Sequence, residues 1–156
     1  MSEQQTVQVA AMNQRVPAFL IDILTHAGIS SFMLHLVTIA MGGGSRAEAL
    51  ANMPVNLRII IPVCIILLSW FVVFVMPTVR NGQTMGMRMT KCKLFDFNTL
   101  NEPPTLKKCL IRELFVFGVI LPPLGLAIIL TTFMNRSHRN ILDKWSHTIL
   151  LSVRKG

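Results

Sequence analysis

Three apolar runs dominate the chain, at residues 16–41, 59–79 and 110–133. Polar stretches separate them: residues 45–57 after the first, and a longer basic segment, 80–108, after the second. The first run holds Asp22, His26 and His35, so it is not a purely lipid-facing helix. Pro17 suits the first turn of a helix, where a missing amide costs little, and the run stops at Gly42, Gly43 and Gly44. Its 26 residues, at about 1.5 Å each, exceed a hydrocarbon core of roughly 30 Å, which predicts tilt or projection. The second run is free of charge and contains Cys64, Ser69 and Trp70, with Pro62 near its start and Pro77 near its end. The third is long enough to cross a membrane. Pro122, Pro123 and Gly125 cut it in half, removing hydrogen bonds and stiffness at one point.

Within the basic segment, residues 82–86 read as a turn, 87–97 as strand-like with imperfect alternation, and 98–105, with Pro103 and Pro104, as a loop. Residues 148–153 are strand-like again. The pattern predicts an all-α membrane protein with two transmembrane helices. Its Pro-broken third segment is either a re-entrant hairpin or a kinked span, and a small cytoplasmic cap contains strands. The whole chain, 1–156, reads as one domain.

Composition agrees. Hydrophobic residues make up 52% and charged residues 14%, against about a quarter charged in soluble domains. With a mean hydropathy of +0.56, a soluble globule and a disordered chain are both disfavoured. Residues 1–14 lack Lys and Arg, unlike the basic start of a secretory signal, so the first run is expected to remain as an anchor. Three cysteines, Cys64, Cys92 and Cys109, form no CxxC pair, which argues for a reducing face rather than a disulfide framework. Tyr is absent, leaving Trp70, Trp145 and nine Phe for interfacial anchoring.

Fifteen Lys and Arg against seven Asp and Glu give a net charge of +8. No recognisable nucleic-acid module accompanies that charge, so it is read as a topology signal. A single crossing by residues 110–133 divides the basic residues eight against seven, which is no bias. A third segment that turns back divides them thirteen against two, and the positive-inside rule strongly prefers that arrangement.

Asp22 is the sharpest candidate for chemistry, because a charge at a helix centre in a membrane costs roughly 2.5–3.5 kcal/mol on insertion scales. It reads either as a cation or proton site or as a structural partner of Arg15, seven residues earlier near the same helix face; the pair is preferred. His26, one turn on, is a possible polar relay, with interhelical polar contact as the plainer reading. His26 and His35 have no further ligand at metal-binding spacing, and no cofactor is expected. Gly82 and Gly86 have the spacing of a helix-dimer motif but lie outside any apolar run, so a turn is the better reading. Lys91, Lys93, Lys107, Lys108 and Arg112 could meet anionic headgroups, at about 1 kcal/mol per basic residue near the surface. No nucleophile triad, zinc signature or nucleotide fingerprint appears, and no enzymatic activity is expected.

Four motifs in order resemble the RDD family of small bacterial membrane proteins. They are Arg15 with Ala18, Ile21 and Asp22; Gly82, Gln83, Thr84, Met85 and Gly86; Arg112 opening the third segment; and Arg139 to Asp143 followed by Thr148 and Ile149. Met87, Leu142 and His147 stand where the family often has Lys, His and Gly. The resemblance implies a charge cluster of Arg15, Asp22 and Asp143, and a multi-pass protein of the bacterial inner membrane; the charge split places both termini on the cytoplasmic side. The resemblance also implies a transport-related role, with monovalent cation/proton exchange reported for some members. Two spans and a half-inserted hairpin give too few walls for a closed pathway. The expected partners are therefore lipids and either further copies of the chain or another membrane protein. The alternative is a non-transporting accessory or scaffold subunit of a membrane complex.

Overall fold

The computed structural model describes residues 8–41, 53–100, 102–119 and 141–153, with single positions at 45, 48 and 51. It is mostly helical, with two long apolar helices and one small antiparallel sheet. The first helix, α1, is Met12–Ala40. It begins four residues before the apolar run does, because the Gln14 side chain accepts the Ala11 amide at 3.3 Å and caps the start. Pro17 therefore lies inside the helix rather than in its first turn. At about 1.5 Å per residue, 29 residues extend roughly 43 Å, so one end projects from the hydrocarbon. That projecting end meets the sheet: Gln14 Nε2 donates to the Thr90 carbonyl at 3.3 Å and to Ser152 Oγ at 3.1 Å.

Ala18, Asp22, Ser30 and Thr38 are the buried residues of α1. Their spacing of four or eight puts them on one stripe. Leu24, Phe32 and Ile39 point outward and are exposed, as lipid contact requires.

The second long helix runs from Val55 to Asn81. It comprises α2 (Val55–Trp70), a π-helical turn (Phe71–Val75) and α3 (Met76–Asn81). Pro77 has no amide to offer the carbonyl four residues earlier. The helix widens just before it, and the Met76 amide reaches back five residues to the Phe71 carbonyl. Polar contacts tie α1 to this helix: Ser30 and Ser69 hydroxyls lie 2.6 Å apart, and His26 Nε2 is 3.3 Å from the Ile66 carbonyl. Trp70, Val73, Phe74, Val75 and Cys109 form an apolar cluster, where Trp70 Nε1 donates to the Glu113 carbonyl at 3.2 Å.

The helix ends at Gly82, whose φ of +70° is the left-handed conformation that favours glycine. A Cβ there would also lie 2.6 Å from the Leu94 carbonyl oxygen. Thr84 then caps a short helix, α4 (Met85–Met89), its hydroxyl accepting the Met87 amide at 3.2 Å. Residues 87–89 are thus helical, not strand, and the expected turn at 82–86 contains the start of α4. Strand β2 is Cys92–Asp96.

Helix α5 (Leu106–Val119) opens the third segment. The Pro122, Pro123 and Gly125 break lies outside the described residues. The chain is described again at α6 (Ile141–Trp145), a one-turn helix that the polar sequence does not announce. Strand β3 (Thr148–Ser152) follows. With β1 (Gln8–Val9) it completes a sheet in the order β1-β3-β2. Phe95 pairs with Ile149, and Val9 with Leu151. As the central strand, β3 is buried from Thr148 to Leu151. Ala10, Ala18, Met87, Cys92, Leu94 and Leu150 pack into the core between sheet, α1 and α4.

Candidate functional site: a buried charge network

Asp22 lies on the buried stripe of α1 and is 3% exposed. Its partner is not Arg15. Thr84 Oγ1 donates to Asp22 Oδ2 at 2.5 Å, and the Gly86 amide donates to Oδ1 at 2.7 Å. The family turn therefore serves the carboxylate directly. Thr84 supplies a hydroxyl from its capping position, and the backbone at Gly86 comes close enough to supply an amide. That approach needs glycine, since a Cβ on Gly86 would overlap the Ala18 carbonyl and lie 2.9 Å from Asp22 Cγ. Gln83 acts elsewhere. Its side-chain amide donates to the Cys92 carbonyl at 2.7 Å and holds the turn against β2.

Arg15 reaches across the fold instead. Its Nη1 donates to Asp143 Oδ2 at 2.8 Å, and its Nε to the Ala10 carbonyl at 2.9 Å. Asp143 is wholly buried in α6. Arg112 Nε approaches its other oxygen at 3.4 Å, while Arg112 Nη1 pairs with Glu113. Arg112 thus points into the network and is withdrawn from the expected headgroup cluster. A buried carboxylate gripped by two guanidiniums from separate helices is held strongly in place.

Glu113 is the residue that sequence reasoning missed. It is 2% exposed and lies within electrostatic reach of both Asp22 and Asp143. A signal was present: within residues 110–133 it is the sole acidic residue.

The remaining candidates separate. His26 bonds to the Ile66 carbonyl and packs against the Phe74 ring, with centroids 5.8 Å apart, so its contacts face α2 and the π turn. Lys91 and Lys107 are exposed and Lys93 is half-buried, its Nζ 5.2 Å from the Phe95 ring centroid. Lys108 Nζ is engaged with Asp96 Oδ2 at 2.5 Å. That hydrogen bond, joined by the Asn98 amide, holds the Asp96 carboxyl below the usual carboxylate range. Cys92 and Cys109 are buried, and burial pushes the Cys92 thiol up.

The network draws Arg15 and Asp22 from α1, Arg112 and Glu113 from α5, Asp143 from α6 and the donors of Thr84 and Gly86 from α4 and its cap. It can anchor four elements to one another, and it can hold a small cation or a proton at a carboxylate. No curated protein and no solved structure matches the chain significantly. The model of the RDD family matches residues 9–147, which include every member of this network, and the chain belongs to the RDD family of membrane proteins.

Proposed function

We propose that this protein exchanges a monovalent cation for protons across the bacterial inner membrane, acting as a homo-oligomer with Asp22 at the ion site. The observation that carries this reading is the pairing of Asp22. Its carboxylate lies in a membrane-length apolar helix and is held by a neutral hydroxyl and a neutral amide, while Arg15 is committed to Asp143. A carboxylate with neutral donors can exchange a proton for a cation without first breaking an ion pair, as an Arg15–Asp22 pair would require. Among the described residues one copy has two candidate spans, too few to enclose a pathway, so copies supply the missing walls.

The sheet supports the topology assumed here. Strand β1 precedes the first span, β2 follows the second, and β3 lies between them in the sheet. A chain that brings β3 back beside the other two favours a third segment that turns back over one that crosses once. Both termini then lie on the basic, cytoplasmic side.

A second reading is favoured by a specific contact. Both oxygens of Asp22 are already bonded, and Gly86 is pressed against the Ala18 backbone, as expected of a fixed lock in an accessory subunit. Reconstituted vesicles with a proton-sensitive dye separate the two. Sodium, lithium or potassium added outside should release protons with the wild type and not with Asp22→Asn. Silence of the wild type for all three, at roughly pH 6 to 9, leaves the accessory reading in place.

A further inference from the structure

Helix α4 has two unlike faces. Gly86 and Met87 are buried, Gly86 against the Ala18 backbone and Met87 in the core beside Ala18. Met85, Arg88 and Met89, spaced i, i+3 and i+4, share the opposite face. Met85 is 57% and Met89 63% exposed there, and Arg88 is exposed with them. The chain leaves the helix through Lys91, whose φ of +56° is held at both of its backbone polar groups. Its amide donates to the Arg88 carbonyl at 3.3 Å, and its carbonyl accepts the Val153 amide at 2.8 Å. The Lys91 side chain is exposed just past the helix. Residues 80–93 contain Arg80, Arg88, Lys91 and Lys93 and no Asp or Glu.

The depth of α4 follows from what it touches on α1. Gly86 meets Ala18, and Thr84 and Gly86 bond to Asp22. Ala18 and Asp22 lie about 4.5 and 10.5 Å beyond Arg15 along the helix axis, at about 1.5 Å per residue. At that level α1 turns Val16, Leu20 and Leu24 outward. Amphipathic helices at a bilayer surface sit about 5–10 Å into the boundary between headgroups and acyl chains. The exposed face of α4 opens at that boundary and continues the outward surface of α1.

We propose that this face binds an anionic phospholipid. Met85 and Met89 enter the acyl region, and the Arg88 guanidinium and Lys91 ammonium meet the lipid phosphate. Unbranched thioether side chains adapt to fluid chains. Arg88 offers phosphate oxygens a planar fork, and both basic side chains are long enough to reach outward from an apolar stem. A zwitterionic headgroup brings its own ammonium against these cations, whereas an anionic one does not. The headgroup cluster expected from sequence is redrawn: Lys108 and Arg112 are turned to carboxylates, and Arg88 joins Lys91.

A second copy of the chain is the competing occupant. Charge favours lipid, because two copies of this face brought together by a two-fold axis set Arg88 and Lys91 against their own kind. Lipid binding at α4 needs no ion exchange, and its test uses none. Its bearing on Asp22 is mechanical. Thr84 and Gly86, both donors to that carboxylate, belong to the cap and first turn of the helix whose other face the lipid holds.

Quenching by brominated lipids tests it on the full-length protein in vesicles. Cys64→Ser leaves Cys92 and Cys109, both buried, as the native thiols; Met89→Cys in that background carries a bimane label. In vesicles wholly of phosphatidylcholine brominated on its acyl chains, the label should be strongly quenched. In plain phosphatidylcholine with a minor share of brominated lipid, brominated phosphatidylglycerol should quench more than brominated phosphatidylcholine at equal share. The preference should be about fivefold for each basic side chain engaged, and should vanish in Arg88→Gln with Lys91→Gln. Tryptophan emission and a single elution peak are the fold control. The same label at Phe32→Cys, exposed farther along α1, should show no preference. An unquenched label in wholly brominated vesicles overturns the proposal; blue-shifted emission then assigns the face to a second chain, and red-shifted emission to water. Equal quenching by the two diluted lipids, or an equal preference at Phe32, overturns headgroup recognition at α4. These results need no change to the basic residues, so a double variant that fails its fold control does not protect the proposal. A preference that persists in a folded double variant overturns the assignment to Arg88 and Lys91.

Discussion

Replacing Arg15 by Ala removes two interactions at once: the 2.8 Å contact with Asp143 and the 2.9 Å bond to the Ala10 carbonyl. Asp143 has no exposed surface, so water cannot take the place of the guanidinium. The second guanidinium near it, Arg112 at 3.4 Å, is divided with Glu113. Breaking a buried pair from one side costs about 3–5 kcal/mol. The double variant Arg15→Ala with Asp143→Asn has no orphaned carboxylate and should cost less than the two singles added. The difference measures the coupling, on the order of 1–3 kcal/mol for residues in one network. Arg15→Lys should recover little, since an ammonium cannot span Ala10 and Asp143 as a planar fork does. The assay is unfolding of the purified protein from mild detergent into denaturing detergent, followed by tryptophan emission. A cost for Arg15→Ala below about 1 kcal/mol, the range of exposed ion pairs, or strict additivity in the cycle, refutes the claim that Arg15 and Asp143 hold α1 to α6.

Gly86→Ala should lower stability by roughly 3–5 kcal/mol, from overpacking against Ala18 and loss of the amide bond to Asp22; an unchanged unfolding midpoint would show that α4 can retreat from α1 freely. His147 has a φ of +50° at the position where the family often carries Gly, so His147→Gly should stabilise the protein by roughly 0.5–1 kcal/mol. A loss of stability in the same unfolding assay would mean that the His147 side chain contributes more than its strained backbone costs. Asp96 has a folded-state pKa below its unfolded value, so the stabilisation from Lys108 and Asn98 is present above the unfolded value, about 3.9. It is lost as pH falls through that value and the lower folded one. An acid titration of stability should flatten in Asp96→Asn, and an identical acid limb in both proteins contradicts the assignment.

The two long helices were legible because long apolar runs admit few other structures, and β2 and β3 because Cys92–Asp96 and Thr148–Ser152 concentrate strand-forming residues. Two short helices were not. Helix α4 contains five residues, too few for a periodic pattern, and its one local sign was Thr84 in a capping position. Helix α6 is equally short and is fixed from outside, by guanidiniums that reach Asp143 from α1 and α5. The charge partners were legible as a set, but the pair preferred from local spacing, Arg15 with Asp22, is not the one the fold makes. Local spacing joined Arg15 to Asp22, whereas the fold joins Arg15 to a residue 128 positions away. Spacing along one helix says which residues share a face; it cannot say which of them a distant segment will claim. Glu113 was overlooked for a related reason, since adjacent residues on a helix usually diverge, yet the Arg112 guanidinium turns back to it.

The strand order also fixes a sequence of events during synthesis. Strands β1 and β2 are made early, on either side of the two spans, but they do not touch; β3 separates them. The translocon can seat both long helices while the sheet has no centre. Until residues 148–152 emerge, the edges of β1 and β2 that face β3 lie open, and Asp143 is not yet there to receive Arg15. Pairings at such separations form slowly. The nascent protein therefore passes through an inserted but unlatched stage. In that stage Arg15 lacks the carboxylate it holds in the finished fold, and the arrival of β3 closes the sheet and the latch together.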